Sequence, residues 1–215
     1  MAEIAKTAFE VSVSNITRNN IQNVPGYFGS GSGSAFVPDI CPAGFLCVRS
    51  ELAANEGYEG YGAGDTDILN GNTWRMIAAA SGTSGNRLGD HTGIYAYNSY
   101  NAQQGTIGGN VYYAGANTLG LSLPSGERGD FTELIVGEQY TWGNGNFSTA
   151  PSDNTYLYAT IANGLLVASK TEPAAGSGVY LKIYRSKSFT KGARYAGFDG
   201  YVCEVCRAAA TTSAP

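Results

Sequence analysis

The chain has 215 residues, enough for one large or two small domains with a real core. Only 14% of them are charged, against a usual value of about 25%, whereas glycine (30) and tyrosine (15) are abundant. The net charge is −4 and no run of Lys or Arg stands out, which argues against a nucleic-acid partner, and no apolar run of about 18 residues exists to cross a membrane as a helix.

The first stretch, MAEIAKTAFEVSVSN, lacks the apolar centre of a signal peptide. Synthesis in a cytoplasm, with retention there or release by lysis, is the expectation. Residues 1–35 read as an N-terminal arm with a Gly/Ser joint, because GSGSGS at 29–34 has linker composition. The arm either reaches a neighbouring subunit or is a loosely attached terminus. Residues 36–207 read as a β-domain in which 81–110 form either a loop-rich insertion or very short strands, and 208–215 as a flexible tail.

Within that domain, Cys41 and Cys47 flank Pro42 and Gly44 in a compact loop. Residues 49–55 suit a helical turn or two. GYEGYGAG at 57–64 suits an irregular loop, and WRMIAAA at 74–80 a strand. Further strands are expected at 111–113, at 119–123 where Leu119, Leu121 and Leu123 alternate with small residues, at 131–136 and at 140–142. Residues 155–169 form the best-specified hairpin. Asn163-Gly164 is the pair a type I′ turn requires, with Tyr156, Tyr158 and Thr160 on one face and Leu157, Ala159 and Ile161 on the other. The returning arm, 165–167, is nearly continuous in apolar residues and suits a strand covered on both sides. Val179, Leu181 and Ile183 then oppose Tyr180, Lys182 and Tyr184, and a last strand covers 200–206. The fold class is all-β: a β-sandwich or barrel of short antiparallel strands with long Gly/Tyr-rich loops and an extended N-terminal arm.

Chemistry is sparse. The lone histidine, His91, has no nucleophile elbow beside it and reads as a solvated loop residue. Asp65, Asp67 and Asn70 miss the spacing of a calcium loop. Glu127, Asp130, Glu133 and Glu138 lie in or beside expected turns, where solvated charges belong. Trp142 with Tyr140 and the following GNGN turn suits either a sugar-stacking platform or a core or rim aromatic at a strand end. Cys41, Cys47, Cys203 and Cys206 leave three states open: free thiols, disulfides, or a four-thiolate zinc site. In a regular strand Cys203 and Cys206 point to opposite faces, which disfavours zinc.

From about residue 105 the chain resembles bacteriophage head decoration (cement, auxiliary capsid) proteins. The resemblance is carried by short Gly-rich strands, by the aromatic-Gly-Asn turn from Tyr140 to Phe147, by YATIANGLLVA at 158–168 and by the run from Lys182 to Tyr195 into a closing strand. It implies a non-enzymatic, cofactor-free virion protein, assembled in the host cytoplasm, that binds the outer capsid surface and bridges subunits of the major capsid protein. It also implies self-association, with a trimer favoured. Aromatic residues in the arm and loops, Phe9, Tyr27, Phe28, Tyr58 and Tyr61, are the expected capsid contacts, so deleting residues 1–28 is expected to weaken attachment and leave the β-domain folded. The alternative is a carbohydrate-binding or receptor-binding β-module on a virion or cell surface.

Overall fold

The computed structural model describes residues 7, 9–11, 23–52, 73–82, 90–98, 105–107, 110–112, 122–189 and 198–209. Among them every regular element is a strand, apart from 3-10 turns at 33–35 and 144–146. The all-β barrel expectation is what the chain adopts.

One sheet has seven strands. They are β1 (Phe9–Val11), β10 (Gln139–Gly143), β15 (Phe198–Arg207), β14 (Val179–Phe189), β12 (Tyr158–Ala162), β13 (Leu165–Ser169) and β11 (Phe147–Thr149), in that spatial order. Only the β11–β13 contact is parallel. The other sheet orders β3 (Val37–Pro38), β2 (Asn23–Ser30), β5 (Trp74–Ala78), β4 (Leu46–Leu52), β6 (His91–Tyr97) and β9 (Arg128–Ile135). Because β9 returns to pair with β2, strands β2, β5, β4, β6 and β9 close a five-stranded barrel, leaving no open edge on those staves. A short ribbon pairs β7 (Gly105–Ile107) with β8 (Asn110–Tyr112).

The two bodies have two cores. Phe28, Cys41, Cys47, Met76, Tyr95, Tyr97 and Phe131 fill the barrel. The second core lies between sheet and barrel wall, and joins Leu181, Ile183, Val205 and Trp142 of the sheet to Leu46, Ile94, Ala96 and Leu134 of the staves. Along β6, Ile94 and Ala96 enter one core while Tyr95 and Tyr97 enter the other. A strand buried on both faces does not alternate in polarity. That is why 81–110 shows little period in the sequence, whereas within it residues 91–97 form a central stave and 105–107 a short strand.

The central hairpin forms as its sequence demands. Asn163 and Gly164 take φ of 49° and 76°, and β12 pairs with β13 from Tyr158↔Ser169 to Ala162↔Leu165. Its inward residues are Ala159, Ile161, Leu166 and Ala168. Leu165 and Val167 are half-buried, so the returning arm is fully covered on one face only. The expected phase fails before β12: Tyr156 packs on the core and Leu157 is exposed. An Asx turn at Asp153, whose carboxylate accepts the Thr155 N–H at 2.8 Å, sets the chain there before any ladder begins.

The arm reading is corrected by pairing at its described residues 9–11 and 23–35. β1 lies against β10, with Phe9 opposite Trp142, and β2 is a barrel stave bonded to β5 and β9. The Gly/Ser joint is clamped: Gly33 donates its N–H to Glu51, its carbonyl accepts Arg75 at 2.7 Å, and Arg75 pairs with Glu51 at 2.7 Å. Residues 49–52 are strand, not a helical turn, because β4 is held between β5 and β6. In the tail, Ala208 and Ala209 still bond to Gly178 and Gly176. Residues 57–64, 119–121 and 210–215 lie outside the described residues.

Candidate functional site

The outer face of the seven-stranded sheet offers the most developed surface. Alternation on β14 sends Val179, Leu181 and Ile183 inward and Lys182 outward, as read from the sequence. Register then builds a cross-strand row, Tyr158–Lys182–Glu204–Gln139, over four strands. A bulge between Ile183 and Arg185 sets Tyr184 beside this row, half exposed. The Tyr184 hydroxyl donates to Glu204 at 2.7 Å, which pushes its phenol up to about 12, with burial adding less. Lys182 Nζ stands 5.5 Å from the centroid of the Tyr184 ring. On the far side, Glu172 accepts the Tyr180 hydroxyl at 2.7 Å, and the Tyr158 and Tyr180 rings lie 6.2 Å apart. Leu157, whose carbonyl accepts the Ile183 N–H at 2.8 Å, is exposed, as is Tyr184. Hydrogen bonds therefore hold flat aromatic surface in place before any partner arrives.

A second constellation surrounds His91. The residue opens β6, and its Nδ1 donates to Glu133 Oε2 at 3.1 Å. Glu133 is fully buried and its Oε1 accepts the Gly93 N–H at 2.9 Å. Gly93 sits at φ 69° in a β6 bulge that aims this N–H at the carboxylate. Arg207 Nη2 donates to the His91 carbonyl at 2.7 Å. The solvated-loop reading of His91 and the solvated-turn reading of Glu133 are both corrected. A carboxylate-oriented imidazole is one part of a proton-transfer site, but among the described residues no hydroxyl or thiol bonds to that ring. Asp130 is on β9 as well, and burial raises its carboxyl above the usual range.

The expected capsid contacts scatter. Phe9 is fully buried against Tyr140 and Trp142, and Phe28 is buried against Phe45, so neither offers an outer surface. Tyr27 is half-buried on β2, and Tyr58 and Tyr61 lie outside the described residues. Trp142 is fully buried and donates its indole N–H to the Gly44 carbonyl at 3.2 Å, so it is a core aromatic at a strand end and not a sugar platform. The four-thiolate zinc site is corrected too. Cys41 and Cys47 fill the barrel, Cys203 points into the other core and Cys206 faces outward. Among the described residues no three His, Cys, Asp or Glu side chains are grouped as metal ligands.

No family model, no characterised protein and no solved structure matches this chain.

Proposed function

We propose that this chain is a non-catalytic virion protein that binds the outside of a phage head and stabilises it by bridging capsid subunits. The carrying observation is the outer face of the seven-stranded sheet: Tyr184 is half exposed between Lys182 and Glu204, Tyr158 stands in register with Lys182, and Leu157 is exposed just before β12. Tyrosines held by carboxylates supply contact area at low entropic cost, which suits docking on a second protein. Many copies on a symmetric lattice sum modest single contacts into firm attachment. The resemblance of residues 105 onward to head decoration proteins supports the same reading.

The test is co-sedimentation of the purified protein with mature phage heads from its source. Saturable binding at a fixed ratio to the major capsid protein is expected, with a loss of at least about tenfold in affinity for Leu157→Ala/Tyr184→Ala, since central aromatic anchors carry most of an interface's energy. Folded protein left at the top of the gradient overturns the proposal. The same exposed tyrosines would then be examined as a stacking surface for glycans.

A further inference from the structure

We propose that Cys41 and Cys47 close an intramolecular disulfide in an oxidising medium, locking the loop that joins the barrel to the seven-stranded sheet. Both thiols are buried in the same barrel core, one at each end of a tight turn, with Cys41 Sγ 3.8 Å from Pro42 O and Cys47 Sγ 3.6 Å from Phe45 O. The loop holds them there. Cys41 exchanges backbone hydrogen bonds with Leu123 at 2.8 and 3.0 Å, and Phe45 donates to Pro42 O across a tight turn. Gly44 donates to Tyr97 O at 2.8 Å, while the Ala43 and Gly44 carbonyls accept from Asn146 Nδ2 and Trp142 Nε1 of the other body. The seven residues 41–47 are therefore the seam of the molecule. Four cysteines allow three fully paired connectivities. The geometry selects a fourth state, 41–47 closed with Cys203 and Cys206 left as thiols, because those two face opposite sides of β15.

With oxidised glutathione as oxidant, one cysteine thiolate attacks a glutathione sulfur, forms a mixed disulfide and expels one glutathione thiolate. The second cysteine, deprotonated in turn, attacks the protein sulfur of that mixed disulfide and expels the other. The protein loses two protons and two electrons, and the oxidant is reduced to two thiols. Complete burial keeps the oxidant from both sulfurs, so closure proceeds during folding or when the loop opens. A reducing cytoplasm leaves the pair open and an extracellular medium closes it. This holds whatever the outer sheet face binds.

The test refolds the full-length protein in excess oxidised glutathione, alkylates remaining thiols and maps chymotryptic peptides by mass spectrometry. The expected map links Cys41 to Cys47 and shows Cys203 and Cys206 alkylated. The expected melting temperature is roughly 5–10 °C above that of the dithiothreitol-reduced protein, from the loop entropy of a seven-residue ring. That rise is absent in Cys47→Ala and kept in Cys206→Ser. Recovery of Cys41 and Cys47 as separate alkylated residues, or joined to Cys203 or Cys206, overturns the assignment. A closed bond with no rise in melting temperature overturns the locking role. The wild-type map decides the pairing even if Cys47→Ala does not fold.

Discussion

Glu133 is the charged side chain that the described residues bury completely, and its surroundings explain how the fold tolerates it. A buried carboxylate is costly unless its oxygens are hydrogen-bonded. Here the Gly93 N–H and the His91 ring each reach one oxygen. His91 is thus a partner required by an interior charge, although its own side chain is 31% exposed. Replacing it leaves Oε2 without that donor. His91→Ala is therefore expected to lose about 1–3 kcal/mol in urea unfolding, the range for stranding one buried polar partner. Combining it with Glu133→Gln should cost less than the sum of the single changes, because the amide removes the charge that His91 serves. An unchanged urea midpoint for His91→Ala would show that water replaces the imidazole without loss.

At the scale of elements, the hairpin of β12 and β13 does more than turn the chain. Its tip is plugged into the barrel: Leu46 donates to Gly164 O at 2.8 Å, and Gly164 donates to Ala79 O at 2.9 Å. A Cβ on Gly164 would stand 2.2 Å from the Phe45 ring, and the residue sits at φ 76°. Gly164→Ala therefore meets both a backbone penalty and a collision on the seam loop. The expected loss is about 2–5 kcal/mol, and roughly 5–15 °C in melting temperature. A loss under about 1 kcal/mol would mean that Phe45 moves aside freely, and that the tip is not wedged. The hairpin itself was legible because Asn-Gly and period-two alternation are local signals. The residues that dock it were not, since nothing near Phe45 or Ala79 in sequence announces residue 164. The same limit applies to β6, whose IYAY run faces two cores at once, and to β2, which runs into a Gly/Ser stretch that Glu51 and Arg75 clamp from distant positions in the sequence. The outward set Tyr180, Lys182 and Tyr184 could be read from alternation on β14. Its partners, Tyr158 and Glu204, come from register across three strands, which a single sequence does not encode locally.

At the scale of the whole molecule, the N-terminal segment decides whether the barrel closes. β2 bonds to β5 on one side and β9 on the other, so without it two staves become open edges and the barrel core faces water. Removing residues 1–28 would also take Phe9 from the inter-body core and Phe28 from the barrel. Each buried Phe is worth about 3–5 kcal/mol, and a domain has only about 5–15 kcal/mol of net stability. The truncated chain is therefore expected to lose its near-UV circular dichroism and its cooperative urea transition, and to bind a hydrophobic dye. This reverses the expectation that such a deletion would spare the β-domain. It also changes how attachment to a capsid must be probed. Lost binding after truncation would report an opened barrel, so the contact is tested instead through Leu157 and Tyr184, which lie outside both cores. A truncated chain that kept a sharp transition at the full-length midpoint would show that β5 and β9 hold without β2, and would return residues 1–28 to the role of a separable arm.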